Sequence, residues 1–183
     1  MKTLHLLPIG TVDGSLLEYL REAIPKRLRV PCEVLPGNLL DPGFAYHPER
    51  QQFHSSEILG RMMGLRRVDG WRLLSVTDLD LYIPILRYVF GEAQMGGPCA
   101  VVSTFRLRQE FYGLERSDDL LRDRLLKECI HELGHTLSLR HCEDYRCVMA
   151  SSHAVEWIDL RDSVMCESCQ NAVRRSVAPA AAR

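Results

Sequence analysis

Residues 131–150 read HELGHTLSLRHCEDYRCVMA, and residues 166–169 read CESC. Two histidines four positions apart, His131 and His135, lie on one face of a helix and can direct both rings at a single ion. Glu132 lies beside them, where its carboxylate can act on a water near that ion without being a ligand itself. The stretch therefore predicts a zinc site that is carried by a helix.

That helix is predicted to run from about Asp118 to Leu137, with Ser117 as its N-cap. An apolar residue recurs every four positions along it: Leu121, Leu125, Cys129, Leu133 and Leu137. The histidines lie about 200° around the helix axis from this apolar stripe. We therefore expect the stripe to pack on the core and the histidines to face a cleft.

A catalytic zinc ion commonly has three protein ligands, and His141 is the candidate for the third. If the helix continued, His141 would point about 240° away from His135, so the helix must break between them. A glycine would make that turn easily, but the sequence has Ser138 there. A left-handed serine costs about 1–2 kcal/mol. The alternative is that these histidines are solvated residues on a helix surface.

Four of the seven cysteines form two close pairs, Cys142 with Cys147 and Cys166 with Cys169. Four thiolates complete a tetrahedron around zinc without an open position, so such an ion is structural and helps to fold the segment that binds it. Neighbouring side chains of extended backbone point to opposite sides, so His141 and Cys142 can serve different ions. We predict two zinc ions about 13 Å apart. Disulfides or ordinary core cysteines are the alternatives.

Length and composition place these motifs in one globular domain. The chain has 183 residues, of which 46% are hydrophobic and 26% charged, and its net charge is −1. These values exclude a fibrous or disordered chain, and they give no overall field that favours nucleic acid or an anionic membrane. Neither an 18-residue apolar run nor a secretory signal is recognisable, so we expect a cytoplasmic protein without membrane contact.

Strands and helices are predicted to alternate along residues 1–138, which favours an α+β fold with a mixed, twisted sheet packed against helices. Strands are predicted at 3–9, 29–35, 71–78 and 99–107, and helices at 16–28, 48–64 and 166–177 in addition to the helix at 118–137. Within 85–105 we expect an edge strand that lines the cleft, where an extended peptide could add to the sheet. Residues 139–175 are expected to form a small zinc-stapled C-terminal subdomain, followed by a frayed tail at 176–183.

The motif combination at residues 131–169 resembles the archaemetzincins, a branch of the metzincin zinc peptidases. Their pattern is HExxHxxGxxHC, followed by Cys-x-Met and then CxxC, and the resemblance covers about a fifth of the chain. The order of the preceding strands and helices is also similar to the metzincin N-terminal subdomain. The resemblance implies a zincin-like fold in which residues 1–183 form a single catalytic domain. This sequence departs from the pattern at Ser138, which replaces the family glycine.

Carried over by position, the resemblance implies a catalytic zinc ion bound by His131, His135 and His141, with Glu132 as general base. It also implies a structural zinc ion bound by four thiolates: Cys142, Cys147, Cys166 and Cys169. Met149 matches the methionine of the Met-turn beneath the catalytic ion, although an ordinary core methionine is the alternative. The implied activity is zinc-dependent hydrolysis of peptides or proteins, with aminopeptidase action on short peptides suggested for some relatives.

A zinc-stabilised module that binds protein or nucleic acid without turnover is the competing hypothesis. Several arginines lie near the cysteine pairs: Arg140, Arg146, Arg161, Arg174 and Arg175. Acidic residues are interleaved with them, and a binding module does not need Glu132 between two ligand histidines. We therefore expect no nucleic-acid partner.

Overall fold

The computed structural model describes residues 2–65 and 70–177, with side chains as far as Arg174. Its strands are β1 (Thr3–Ile9), β2 (Cys32–Val34), β3 (Tyr46–His47), β4 (Gln52–His54), β5 (Gly70–Thr77), β6 (Leu81–Tyr82), β7 (Gly91–Ala93) and β8 (Cys99–Ser103). Its helices are α1 (Gly14–Leu28), α2 (Ser55–Met62), α3 (Asp118–Thr136), α4 (Val155–Leu160) and α5 (Glu167–Val177). The expected frayed tail, beyond residue 177, lies outside the described residues.

A mixed sheet with the strand order β2-β1-β5-β8-β7 forms the centre of the molecule. The pairings from β2 through β8 are parallel, whereas β7 runs antiparallel to β8 at the edge of this sheet. A smaller sheet has the order β3-β4-β6. The mixed α+β architecture predicted from the sequence is confirmed, and β7 is left with one side unpaired in this sheet.

Helices cover both faces of the central sheet. Because side chains alternate along a strand, Leu4 and Leu6 of β1 pack in one cluster with α1 and α3, whereas Leu7 and Ile9 pack in a second cluster with α2. The neighbouring strand β8 divides in the same way, with Val102 in the first cluster and Val101 in the second. This packing fixes α3 against the sheet beside β7 and β8.

Helix α3 begins at the predicted residue. The Ser117 side chain accepts a hydrogen bond from the backbone N–H of Leu120, and Asp118 and Asp119 place negative charge in the first turn. The predicted apolar stripe is buried: Leu121, Leu125, Cys129, Leu133 and Leu137. His131 and Glu132 are also buried, so α3 is enclosed on more than the face that the stripe predicts.

The helix ends through a Schellman motif around Ser138. The Leu139 N–H donates to the Gly134 carbonyl and the Ser138 N–H to the His135 carbonyl, at 3.1 and 2.9 Å. Ser138 has φ +66°, so the expected left-handed serine is confirmed. A Cβ at Gly96 would lie 2.8 Å from the Ser138 Oγ, which shows how closely these two turns approach. The motif reverses the chain directly after α3.

The C-terminal segment folds back beneath α3. Its strand-like start forms an isolated parallel bridge between Cys142 and Ala150, and the Val148 N–H donates to the Val164 carbonyl. Helix α4 was not predicted from the sequence, whereas α5 agrees with the predicted final helix. Across residues 2–65 and 70–177, none of the helices is long and apolar enough to cross a bilayer.

Three predicted elements were too long. The strand expected at 29–35 is confined to β2, and two further cases show the cause. The helix expected at 48–64 is confined to α2, because Gln52 and Phe53 pair in strands and Gln51 has φ +54°. The strand expected at 99–107 ends at Ser103, and a 3-10 turn follows at Phe105–Leu107. Both corrections reflect partners that are distant in sequence, such as Leu81 for Phe53.

Candidate metal centres

The chain reversal at Ser138 brings three imidazoles together. One ring nitrogen from each of His131, His135 and His141 lies within 4.8 Å of the others. His131 and His135 project from α3, and His141 reaches them from the segment after the Schellman motif. His131 is buried, His135 is half-buried and His141 is exposed. The cluster thus has one side that is open to solvent.

Backbone carbonyls fix the tautomers of the two helix histidines. The Nδ1 atom of His131 lies 2.8 Å from the Val148 carbonyl oxygen, and that of His135 lies 2.7 Å from the Leu139 carbonyl oxygen. A carbonyl oxygen can only accept, so each Nδ1 carries the hydrogen and each Nε2 presents a lone pair. Metal-binding histidines commonly donate the other ring N–H to a backbone carbonyl in this way.

The two Nε2 atoms fit a shared cation. They lie 3.1 Å apart, although both present lone pairs that repel each other. Two ligands of a tetrahedral zinc ion with Zn–N bonds of 2.0–2.1 Å would be about 3.3 Å apart. The donor set, its spacing and its orientation are therefore suited to zinc.

Burial keeps the cluster neutral. It lowers the pKa of His131 well below the usual value, and Arg161 and His135 contribute in the same direction. Burial also lowers the pKa of His135 and of His141. Neutral imidazole is the form that binds a metal ion, so these residues need not lose a proton at neutral pH before binding one.

Glu132 is buried beside the imidazoles. Burial raises the pKa of its carboxyl group well above the usual value, and Glu128 and Glu92 contribute. A Cβ at Gly91 would lie 2.8 Å from the Glu132 Cγ and 2.8 Å from the Val101 carbonyl oxygen. Glycine at position 91 therefore leaves the space that the Glu132 side chain occupies against β7.

A cleft of about 620 Å³ runs past the cluster. One wall is β7 with the segment before it, including Tyr88, and the other includes Ser151, Ser152 and His153. The Tyr88 hydroxyl donates a hydrogen bond of 3.1 Å to the His153 carbonyl and so joins the two walls. Since β7 is an edge strand, the expected edge strand within 85–105 does line the cleft.

Met149 packs against α3 at Gly134. It is fully buried, and its sulfur lies where a Cβ at Gly134 would be, between the two helix histidines in sequence. The Met149 carbonyl accepts a hydrogen bond from the Cys142 N–H at 2.9 Å. The Met-turn role that the resemblance implied for Met149 stays a prediction.

The four C-terminal cysteines form a second cluster. One sulfur from each of Cys142, Cys147, Cys166 and Cys169 lies within 4.8 Å of the others, and the Sγ atoms of Cys142 and Cys166 are 3.8 Å apart. Tetrahedral zinc with Zn–S bonds of 2.3 Å would separate two sulfurs by about 3.8 Å. The Cys147 sulfur also accepts from the N–H groups of Met149 and Cys166 at 3.4 and 3.3 Å. None of the seven cysteines, all of which lie in the described part of the chain, forms a disulfide.

An ion pair next to His131 was not recognised in the sequence. Arg161 and Glu128 are both buried, form an ion pair and border the cleft. Glu128 precedes His131 by three positions, so helical spacing could have placed it on the same face. The sequence held no signal for Arg161, which the binding-module hypothesis had counted among the basic residues near the cysteines. Its burial removes it from any contact with nucleic acid.

Comparison with known proteins identifies similar chains and structures. The model of a protein family described as peptidase family M54 matches residues 34–175. The chain is 41% identical over 162 residues to the archaemetzincin of Methanocaldococcus jannaschii, a match that covers 88% of this chain and 87% of that relative.

Two solved structures have the same fold. The archaemetzincin of Methanopyrus kandleri superposes with a TM-score of 0.85 at 30% identity, covering 97% of this chain and 96% of that one. A zinc-dependent peptidase of Methanocorpusculum labreanum superposes with a TM-score of 0.83 at 27% identity, covering 93% and 99%.

Proposed function

Since the chain belongs to peptidase family M54 and is a zinc metallopeptidase, we propose that His131, His135 and His141 bind its catalytic zinc ion and that Glu132 is the general base. One observation carries this proposal: the Nε2 atoms of His131 and His135 lie 3.1 Å apart, and both present lone pairs. The buried Glu132 lies with them in the cleft. The three imidazoles leave a solvent-exposed side, at His141, for water and substrate.

The chemistry divides between the ion and the side chains. Bound zinc supplies Lewis acidity, which polarises a peptide carbonyl and makes a water more acidic. Glu132 takes a proton from the attacking water and gives it to the nitrogen of the leaving amine. His131 and His135 would bind the ion through Nε2, because the carbonyls of Val148 and Leu139 accept hydrogen bonds from their Nδ1 atoms.

The substrate is a peptide or protein bound in extended form. Strand β7 pairs with β8 on one side, and its other side borders the cleft. A substrate strand that adds to this edge exchanges backbone hydrogen bonds with Gly91–Ala93 and passes Glu132. Gly91 is suited to this place, because a side chain there would displace the Glu132 carboxylate.

Aminopeptidase action is the more specific form of this proposal. An aminopeptidase needs a fixed anion for the substrate ammonium group, and Glu92 is an acidic residue of the edge strand that borders the cleft. Hydroxyl groups of Ser55 and Ser56, at the start of α2, donate to the two Glu92 carboxylate oxygens and hold them in place. Glu92 is therefore the residue that we assign to the substrate N-terminus.

We also propose that a second zinc ion joins Cys142, Cys147, Cys166 and Cys169. The spacing of the sulfurs and the N–H groups directed at the Cys147 sulfur support this proposal. In this scheme the chain forms one catalytic domain with two subdomains. Residues 1–138 form the N-terminal subdomain, which contains the sheet and α3, and residues 139–175 form the zinc-stapled C-terminal subdomain. The second ion then anchors the segment that carries His141.

The test is peptide hydrolysis by Glu132→Gln beside wild-type protein, both with measured zinc content. We expect the variant to retain zinc and to lose about 10²–10⁴-fold in turnover, the usual contribution of a general base. Glu156→Gln, on the exposed side of α4, is the matched control and should hydrolyse peptides like wild type. Near-normal turnover by zinc-loaded Glu132→Gln would refute the role of Glu132.

A further inference from the structure

The guanidinium group of Arg161 connects three parts of the active-site region. Its Nη1 atom donates to the carbonyl oxygens of Val148 and Ala150, at 3.0 and 2.8 Å, on either side of Met149. Its Nη2 atom pairs with the Glu128 carboxylate on α3. The Arg161 side chain is 1% exposed and that of Glu128 is 4% exposed, so the pair is shielded from water.

One carbonyl group serves both Arg161 and His131. The Val148 oxygen accepts from His131 Nδ1 at 2.8 Å and from Arg161 Nη1 at 3.0 Å. The two nitrogens are 3.0 Å apart, as expected for two donors that converge on one acceptor. Arg161 therefore sets the position of the oxygen that fixes the tautomer and ring angle of His131.

Glu128 makes this arrangement compatible with a nearby cation. A buried guanidinium without a partner would repel a divalent ion held by His131, and the repulsion would be strong at low dielectric constant. Glu128 precedes His131 by three residues on α3, so its carboxylate compensates the Arg161 charge on the same side of the helix. The pair contributes hydrogen-bond donors without a net charge.

We propose that Arg161 and Glu128 are positioning residues for the catalytic metal site, acting through the Val148 carbonyl on His131. The inference rests on the proposed role of His131 as a zinc ligand. Val148 lies between the two clusters in sequence, because it directly follows Cys147. Arg161 holds the Val148 carbonyl against α3. Glu128 and Arg161 then control the affinity of the imidazole cluster rather than that of the thiolate cluster.

A second ion pair provides a matched control. Arg124 of α3 donates to both carboxylate oxygens of Asp159 in α4, at 2.7 Å each, and to the Leu107 carbonyl at 2.9 Å. This pair joins α3 to the same C-terminal segment two residues before Arg161, but its partners lie outside the imidazole cluster. A general loosening of this segment can thus be separated from a change at His131.

The experiment measures Co²⁺ and Zn²⁺ affinity by chelator competition for wild type, Glu128→Gln, Arg161→Lys and Asp159→Asn. Cobalt distinguishes the clusters, because thiolate-to-cobalt charge-transfer bands report the cysteines and ligand-field bands of a nitrogen-bound ion report the histidines. We expect Glu128→Gln and Arg161→Lys to lower the metal affinity of the imidazole cluster about 10–100-fold. The metal affinity of the thiolate cluster should not change. Asp159→Asn should bind both ions like wild type.

Imidazole NMR of the zinc-loaded protein adds a readout that does not depend on the metal affinity. We expect the His131 Nδ1 hydrogen to give a resolved signal that exchanges slowly with water. In Arg161→Lys this exchange should become faster, while the His135 Nδ1 signal, bonded to Leu139, stays as it is.

Unchanged affinity of the imidazole cluster in folded Glu128→Gln and Arg161→Lys would overturn the inference. An equal loss in Asp159→Asn would overturn it too, because the effect would then be general. Since these measurements use no substrate, an absence of peptide hydrolysis by wild type would count against the proposed function and not against this inference.

Discussion

Gly134 lies directly against the sulfur atom of Met149, so closely that a Cβ at position 134 would overlap it. Gly134 is the residue before His135, and Met149 is the buried residue between the two carbonyls that Arg161 holds. The glycine within HELGH thus allows the C-terminal segment to pack against α3. The proposed metal site depends on this contact as well as on its proposed ligands.

Gly134→Ala tests this close approach. The added methyl group cannot be accommodated unless Met149 or α3 moves, and we expect a loss of about 1–3 kcal/mol in the free energy of unfolding. Urea denaturation measures the loss. In a protein without this contact the same change would stabilise the helix by about 1 kcal/mol, and that result would contradict the packing described.

Ser138→Gly tests the left-handed turn after α3. Glycine takes φ +66° without the steric cost of serine, so we expect stabilisation by about 0.5–1 kcal/mol after its greater freedom in the unfolded chain is included. The measurement is the unfolding midpoint in urea, with the slope unchanged.

Arg29→Gly is the matched comparison for Ser138→Gly. Arg29 ends α1 with φ +56°, far along the chain from the histidines, and should show a similar gain. Stabilisation at Arg29 together with destabilisation at Ser138 would mean that the Ser138 side chain has a role of its own beside Gly96.

Cys169→Ser tests the thiolate cluster. Loss of one sulfur should reduce the zinc content from about two ions to about one per chain and lower the melting temperature, because metal binding contributes to the folding of residues 139–175. Metal analysis and thermal melting measure these effects. Cys32→Ser, in β2 and outside the group of four sulfurs, should keep both ions. An unchanged zinc content in Cys169→Ser would contradict the second site.

Glu92→Gln tests the assignment of the substrate N-terminus. Without the carboxylate charge, peptides with a free amino terminus should bind less well, so KM rises by about tenfold while kcat changes little. N-acetylated peptides provide the comparison, since they lack the ammonium group. Equal turnover of free and acetylated peptides by wild type would argue for endopeptidase action instead.

Local sequence signals were sufficient for the parts of the site that lie on α3. Ser117 predicts the start of the helix, and the spacing of His131 and His135 places both rings on one face. The requirement that His141 return to them predicted the left-handed Ser138, which the structure confirms. These inferences succeeded because the interactions concerned are short in sequence.

Long-range contacts explain what could not be predicted. The strand pairing of Phe53 with Leu81 replaces the first part of a predicted helix. Arg161 is held in position by Glu128 and by the carbonyls of Val148 and Ala150. The residues next to Arg161 in sequence do not predict these contacts. The proposed metal ligands follow a local pattern, but the groups that orient them depend on how the C-terminal segment packs.

Anomalous diffraction at the zinc absorption edge, from crystals of the zinc-loaded protein, tests the central claim most directly. We expect one peak bonded to Nε2 of His131 and His135 and to the His141 ring at about 2.0–2.1 Å, with a solvent ligand completing the coordination. A second peak should lie among the four cysteine sulfurs, about 13 Å away. Zinc confined to the cysteines, with the His141 ring turned away from the other two, would contradict the account.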